Sequence, residues 1–159
     1  MRFNEIVQSP NLLTREVYLE AMESLCEQYP EIKIGGGIGL CAFASSKLQQ
    51  KLSDTIKLEL IIGRRLTDDK MFDVARQNFK EIPADDIRFD VAKYFLTHDK
   101  HKKDIGHCVC YDGNQIIDIT SNQFGIPQFY SLDTFEAMFE KVKRNCKVKI
   151  NSIEDFGVL

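Results

Sequence analysis

Asp112-Gly113 sits between two runs of strand-like residues, Gly106-His-Cys-Val-Cys-Tyr111 and Gln115-Ile-Ile-Asp-Ile-Thr120, and constrains this chain more than any other pair of residues. Asp-Gly favours the two-residue turn of a β-hairpin, because both central positions of a type I′ turn require φ > 0. With these two residues as the loop, Tyr111 pairs with Asn114, Val109 with Ile116 and His107 with Asp118. Opposed residues share a face with Cβ atoms ~5 Å apart, so a carboxylate would orient an imidazole across the strand pair. Asp118 lies among Ile116, Ile117 and Ile119. An unpaired carboxylate is costly to bury there, and a partner is expected. A turn centred on Gly113-Asn114 would instead set His107 opposite Thr120. Cys108 and Cys110 point to the other face from His107 and read as core packing.

The second constraint lies upstream, in Ile32-Lys-Ile-Gly-Gly-Gly-Ile-Gly-Leu40 followed by Cys41. From Cys41 the pattern turns helical: Ala44, Leu48 and Leu52 fall on one stripe, and Lys47, Gln50 and Lys51 face away. Gly35, Gly36, Gly37 and Gly39 leave the backbone bare where that helix starts. Unpaired N–H groups at a helix N-terminus favour negative charge, so a Cys41 thiolate would be stabilised there. The same groups could hold an oxyanion. Two other readings stand beside this one. The glycines could cradle a phosphate, although their spacing matches neither G-x-G-x-x-G nor G-x-x-x-x-G-K-[ST]. Cys41 could also be a small buried apolar residue.

Around these motifs the chain reads as helices first and sheet later. Thr14 caps a helix to about Gln28, stopped by Pro30. Lys57 to Ile62 forms a strand closed by Gly63, and helices follow over about Asp69 to Phe79 and Asp85 to Leu96. His98 to Asp104 is a polar loop, and Asn122 to Pro127 is irregular. Ser131 caps a helix to about Asn145, and Cys146 to Ile150 alternates as a last strand. This is an α+β plan with a mostly antiparallel sheet. The 159 residues suffice for one domain, 1–159, with its own core.

Charge is nearly balanced, at 21 basic and 24 acidic residues, which argues against nucleic acid or an anionic membrane as partner. No apolar run is long enough to span a bilayer, and the N-terminus lacks the apolar run of a signal peptide. Five cysteines without framework spacing point to free thiols and a reducing, cytoplasmic compartment. Export into another cell by a non-classical route stays open. His98, His101, His107, Cys108 and Cys110 invite a zinc reading. Strand alternation separates His107 from the two cysteines, and no second C-x-x-C pair exists, so no metal and no cofactor is expected. The run Lys100-His-Lys-Lys103 reads as a solvated loop between Asp99 and Asp104, or as a contact patch if the chain is a binding module.

Taken together, Cys at a helix start, then His on a strand, then Asp on the next strand resembles the papain-like and transglutaminase-like thiol enzymes. Three blocks carry the resemblance: Gly39-Leu-Cys-Ala-Phe-Ala-Ser45, Gly106-His-Cys-Val109 and Ile117-Asp-Ile-Thr-Ser-Asn-Gln-Phe-Gly125. The last is similar to stretches in smaller bacterial and viral members. The resemblance implies a nucleophile-bearing helix in the N-terminal part packed on the sheet. Cys41 would be the nucleophile, His107 the general base and acid, and Asp118 the orienting carboxylate. It departs from papain itself in lacking a Gln before the nucleophile and a Trp after it, and in having Asp rather than Asn third. Oxyanion donors then fall to backbone N–H groups near Gly39, Leu40 and Cys41, with Gln123 as a helper or simply a loop residue satisfying backbone groups. The implied activity is amide hydrolysis on a protein substrate, a host-cell protein among the options, by a protease, isopeptidase or glutamine deamidase. A transglutaminase-like acyl transferase and a non-catalytic partner-binding module on the same fold are the alternatives.

Overall fold

The computed structural model describes residues 3–97, 104–149 and 152–153. Helix α1 spans Phe3–Gln28 and α2 Cys41–Lys51, followed by β1 at Glu59–Leu66. Helices α3 (Asp69–Phe79) and α4 (Phe89–Thr97) precede β2 (Asp104–Tyr111), β3 (Ile116–Ile117) and β4 (Phe129–Tyr130). Helix α5 (Leu132–Met138) and β5 (Glu140–Lys143) follow. The fold class is α+β: the described residues form five α-helices and one antiparallel sheet of five strands, ordered β4-β3-β2-β1-β5. Among the described residues no helix is long and apolar enough to cross a membrane.

Side-chain alternation sorts the sheet into two faces. Leu60, Cys108, Cys110 and Ile117 face α1 and α2, packing with Tyr18, Leu25, Phe43, Ala44 and Leu48. Ile61, Val109, Ile116 and Tyr130 face α5, against Phe135 and Phe139. The α2 stripe expected from the sequence is buried, with Ala44 and Leu48 fully so. Ser45, also on α2, donates to the Cys108 carbonyl at 2.9 Å and accepts the Cys110 thiol at its own carbonyl at 3.2 Å. These two bonds stitch the helix to β2.

Several boundaries differ from the sequence reading, each for a local reason. Thr14 lies inside α1 rather than capping it. Gly63 does not close β1 but sits within it, paired with His107. A Cβ there would come 2.6 Å from Phe139 Cβ and 3.0 Å from the Phe135 ring, so the missing side chain makes room for α5. The helix read from Asp85 starts at Phe89. Asp86 and Arg88 are occupied otherwise: the guanidinium, fully buried, clasps both Asp86 oxygens at 2.9 and 3.0 Å and donates to the Ile34 carbonyl at 2.7 Å. Ser131 caps α5 by accepting from the Thr134 N–H at 3.1 Å, as the sequence suggests. That helix stops at Met138, because the chain turns back to the sheet once Phe135 and Phe139 are stacked over Gly63. The last strand is accordingly Glu140–Lys143, bulged with Lys141 at φ +52°, and not Cys146 to Ile150. Cys146 still bonds to the sheet, its N–H to the Leu60 carbonyl at 2.9 Å and its thiol to the Lys143 carbonyl at 3.3 Å. The loop carrying His98, Lys100, His101 and Lys103 lies outside the described residues, as does Ile150.

Candidate active site

The hairpin that motivates the site has a different register from the expected one. Cys110 pairs with Ile117 and Tyr111 with Ile116, so Gly113-Asn114 is the turn, closed by the Asp112 N–H on the Gln115 carbonyl at 3.3 Å. Asp112 is drawn out of the loop by its own carboxylate, which accepts from the N–H groups of Asn114 at 2.7 Å and Gln115 at 2.8 Å. Only Gly113, at φ +97°, takes positive φ there, as a turn with glycine in its first central position requires. Continued along the strands, this register sets His107 opposite Thr120. The slip of two positions in partner sum preserves parity, so His107 and Asp118 still share a face, now as diagonal neighbours. Diagonal positions lie within reach of long side chains. The His107 Nε2–Asp118 Oδ2 distance is 2.7 Å, with both side chains fully buried.

His107 is enclosed by aromatic rings. Phe139 stacks on the imidazole at 5.4 Å between centroids, and Phe124 meets it edge-on at the same separation. Burial by itself would push the imidazole pKa down. The charge and hydrogen bond of Asp118, and then the neighbouring Cys41, outweigh it and raise the pKa to about 10. Nδ1, the nitrogen not bonded to Asp118, has no hydrogen-bond partner of ordinary geometry. Cys41 is nevertheless close enough to contribute to the upward shift of the imidazole.

Cys41 opens α2, as expected, and is 6% exposed. Its sulfur lies 3.9 Å from the Gly106 carbonyl, one residue before His107. The helix comes from the opposite side of the sheet to the imidazole, so thiol and ring meet at the N-terminal end of β2. No side chain caps the first turn of α2, since its N-cap is Leu40. The Leu40 N–H, expected as an oxyanion donor, is already engaged by the Gly37 carbonyl at 2.9 Å, and Leu40 is fully buried.

The glycine segment does more than leave the backbone bare. Gly35, Gly36, Gly37 and Gly39 all lie at positive φ, between +65° and +79°. A Cβ on Gly37 would stand 2.8 Å from Thr120 Cγ2, and one on Gly36 would stand 3.0 Å from the Gln123 backbone nitrogen. The segment before the thiol is thus pressed against the segment after the carboxylate. Gln123 is buried there, with Nε2 donating to Thr120 Oγ1 at 3.0 Å.

Gly39, Cys41, Gln123 and Phe124 border a cleft of about 230 Å³, walled by Ile38, Val91, Phe95 and Ile105 with Arg64 and Asp104 at its polar end. A larger cleft of about 670 Å³ lies behind the glycine segment between Met22, Ile32, Ile119 and Ile126, and contains none of the three chemical groups. Cys108 and Cys110 are wholly buried, and burial raises both thiols above their ordinary range, which fits packing rather than chemistry. Among the described residues no cluster of three His, Cys, Asp or Glu side chains is arranged to hold a metal.

Sequence reading passed over Tyr130, whose hydroxyl donates to Asp118 Oδ2 at 2.8 Å. A tyrosine alternating into a buried face needs a partner for its hydroxyl, and that was the available signal. Comparison with protein-family models, curated proteins and solved structures finds no significant match.

Proposed function

We propose that the chain is a cysteine-dependent amide hydrolase on a papain-like or transglutaminase-like plan, acting on a protein substrate. The reading is carried by one observation: a buried imidazole bonded to a carboxylate through Nε2, with its other nitrogen unpaired and a cysteine at a helix start close by. In this reading Nε2–H is donated to Asp118, which fixes the tautomer and leaves Nδ1 to exchange the thiol proton. Cys41 Sγ attacks the substrate carbonyl, and the proton held on His107 passes to the departing amine. Water, deprotonated by the same imidazole, then cleaves the thioester. With the Leu40 amide engaged, the first-turn N–H groups of Cys41 and Ala42 are the donors left for the oxyanion, helped by the positive end of α2. The five unpaired thiols favour work in a reducing compartment such as the cytoplasm.

The test is mass spectrometry of a cell lysate treated with the wild type and with Cys41→Ala. New peptide termini made only by the wild type mean proteolysis, and Gln-to-Glu conversion means deamidation. Cross-links would replace hydrolysis by acyl transfer. A biological effect that persists in Cys41→Ala, with none of these products, would make the chain a binding module.

A further inference from the structure

Asp118 occupies an uncommon position for a buried carboxylate. Its Oδ2 accepts two hydrogen bonds, from His107 Nε2 at 2.7 Å and from the Tyr130 hydroxyl at 2.8 Å, while Oδ1 has no partner. Both donors arrive diagonally, from strands on either side. His107 comes from β2 and Tyr130 from β4, where Tyr130 pairs with Ile116. The Asp118 backbone is pinned separately, by its N–H on the Gln128 carbonyl at 2.8 Å. The side chain's remaining freedom is rotation of the carboxylate, and among the described residues these two donors hold it. We propose that Tyr130 is a positioning residue of the site, whose hydroxyl holds the Asp118 carboxylate toward His107 and sets how strongly that carboxylate pulls on the imidazole.

This rests on the hydrolase reading for its consequence but not for its geometry. Two donors on one oxygen share its charge, so the hydroxyl weakens the pull of Oδ2 on the Nε2 proton while fixing its direction. Burial and Asp118 together raise the Tyr130 pKa, so it stays a neutral donor throughout the working range. A tyrosine kept only for packing would fill the same space: the ring lies among Ile61, Val109, Ile116, Phe135 and Phe139. Replacement by phenylalanine keeps that ring and removes the hydroxyl alone.

The experiment compares full-length wild type with Tyr130→Phe by proton NMR of the hydrogen-bonded His107 Nε2–H, with melting temperature as the control for folding. Loss of the competing donor should move that resonance downfield and raise the midpoint of His107 titration by about one pH unit. Site-specific 3-fluorotyrosine at position 130, a stronger donor of nearly the same shape, should move the resonance upfield and keeps the test open if the phenylalanine variant folds poorly. Superimposable resonances in wild type and both folded variants would overturn the proposal. The rate of iodoacetamide labelling at Cys41, read alongside, separates the two ideas. Wild-type labelling no faster than at Cys26 counts against the nucleophile, whereas fast labelling with unmoved resonances counts against Tyr130 alone.

Discussion

His107 holds its proton against complete burial, and this ties stability to pH in a definite direction. An imidazole in the unfolded chain titrates near 6.5, whereas in the fold its pKa is raised to about 10 by Asp118 and Cys41 in spite of desolvation. The folded state binds the proton more tightly. The stabilisation is therefore fully present below about pH 6.5 and is lost as pH rises through about 10. Melting temperature should fall between pH 7 and pH 10, and the fall should flatten in His107→Gln. A melting temperature that rises with pH across this interval would contradict the assignment. The imidazolium also bears on reactivity, because it is the partner that a Cys41 thiolate needs in a low-dielectric site. Cys41→Ala removes one of the groups that lift the imidazole and should move the His107 titration midpoint down, readable by the same NMR titration.

At the level of elements, the glycine segment is where backbone conformation and site geometry coincide. Gly37→Ala forces a side chain into a left-handed conformation and against Thr120 and the Ile32 carbonyl. The cost should be ~1–3 kcal/mol in a urea titration, with slower labelling of Cys41 as α2 shifts. An unchanged midpoint would mean that the segment adapts freely. The hairpin teaches a different lesson about what a sequence discloses. The parity of His107 and Asp118 was legible, because it depends only on strand alternation. The register was not, because Asp112 uses its carboxylate to cap the turn instead of serving as a central residue. Likewise α3 and the cap of α5 were legible from local pattern, as Asp68 and Ser131 accept from first-turn amides. The strand after α5 was not, since its position answers to Phe135 and Phe139 stacking over a glycine seventy-odd residues earlier.

The whole molecule places the thiol at the margin of a narrow apolar cleft whose outer wall is α4. Val91 and Tyr94 are 39% and 53% exposed on that wall, and both border the cleft. A small alkylating reagent needs only the sulfur, whereas a protein substrate of the proposed hydrolase would have to lie along the wall. Val91→Glu should leave iodoacetamide labelling of Cys41 unchanged and lower processing of lysate substrates by roughly tenfold, equivalent to ~1.4 kcal/mol of binding. Equal loss of both would place the residue in the fold rather than in recognition. Of this larger arrangement, the chain order Cys41, His107, Asp118 could be read directly. The cleft could not, because residues of α2, β1, α3, α4 and β2, with the segments around Gly39 and Gln123, assemble it and share no local pattern.

Gly63 carries one more consequence. It sits opposite His107 so that Phe139 can cover the imidazole, which means the ring that encloses the imidazole lies well downstream of it in the chain. When Asp118 has left the ribosome, the thiol, imidazole and carboxylate are all outside, but Tyr130, Phe139 and the edge strand β5 are not. A nascent chain at that stage holds the reactive groups without the surroundings that would pair them. In this chain the three groups gain these surroundings only once Tyr130 and Phe139 have followed them out.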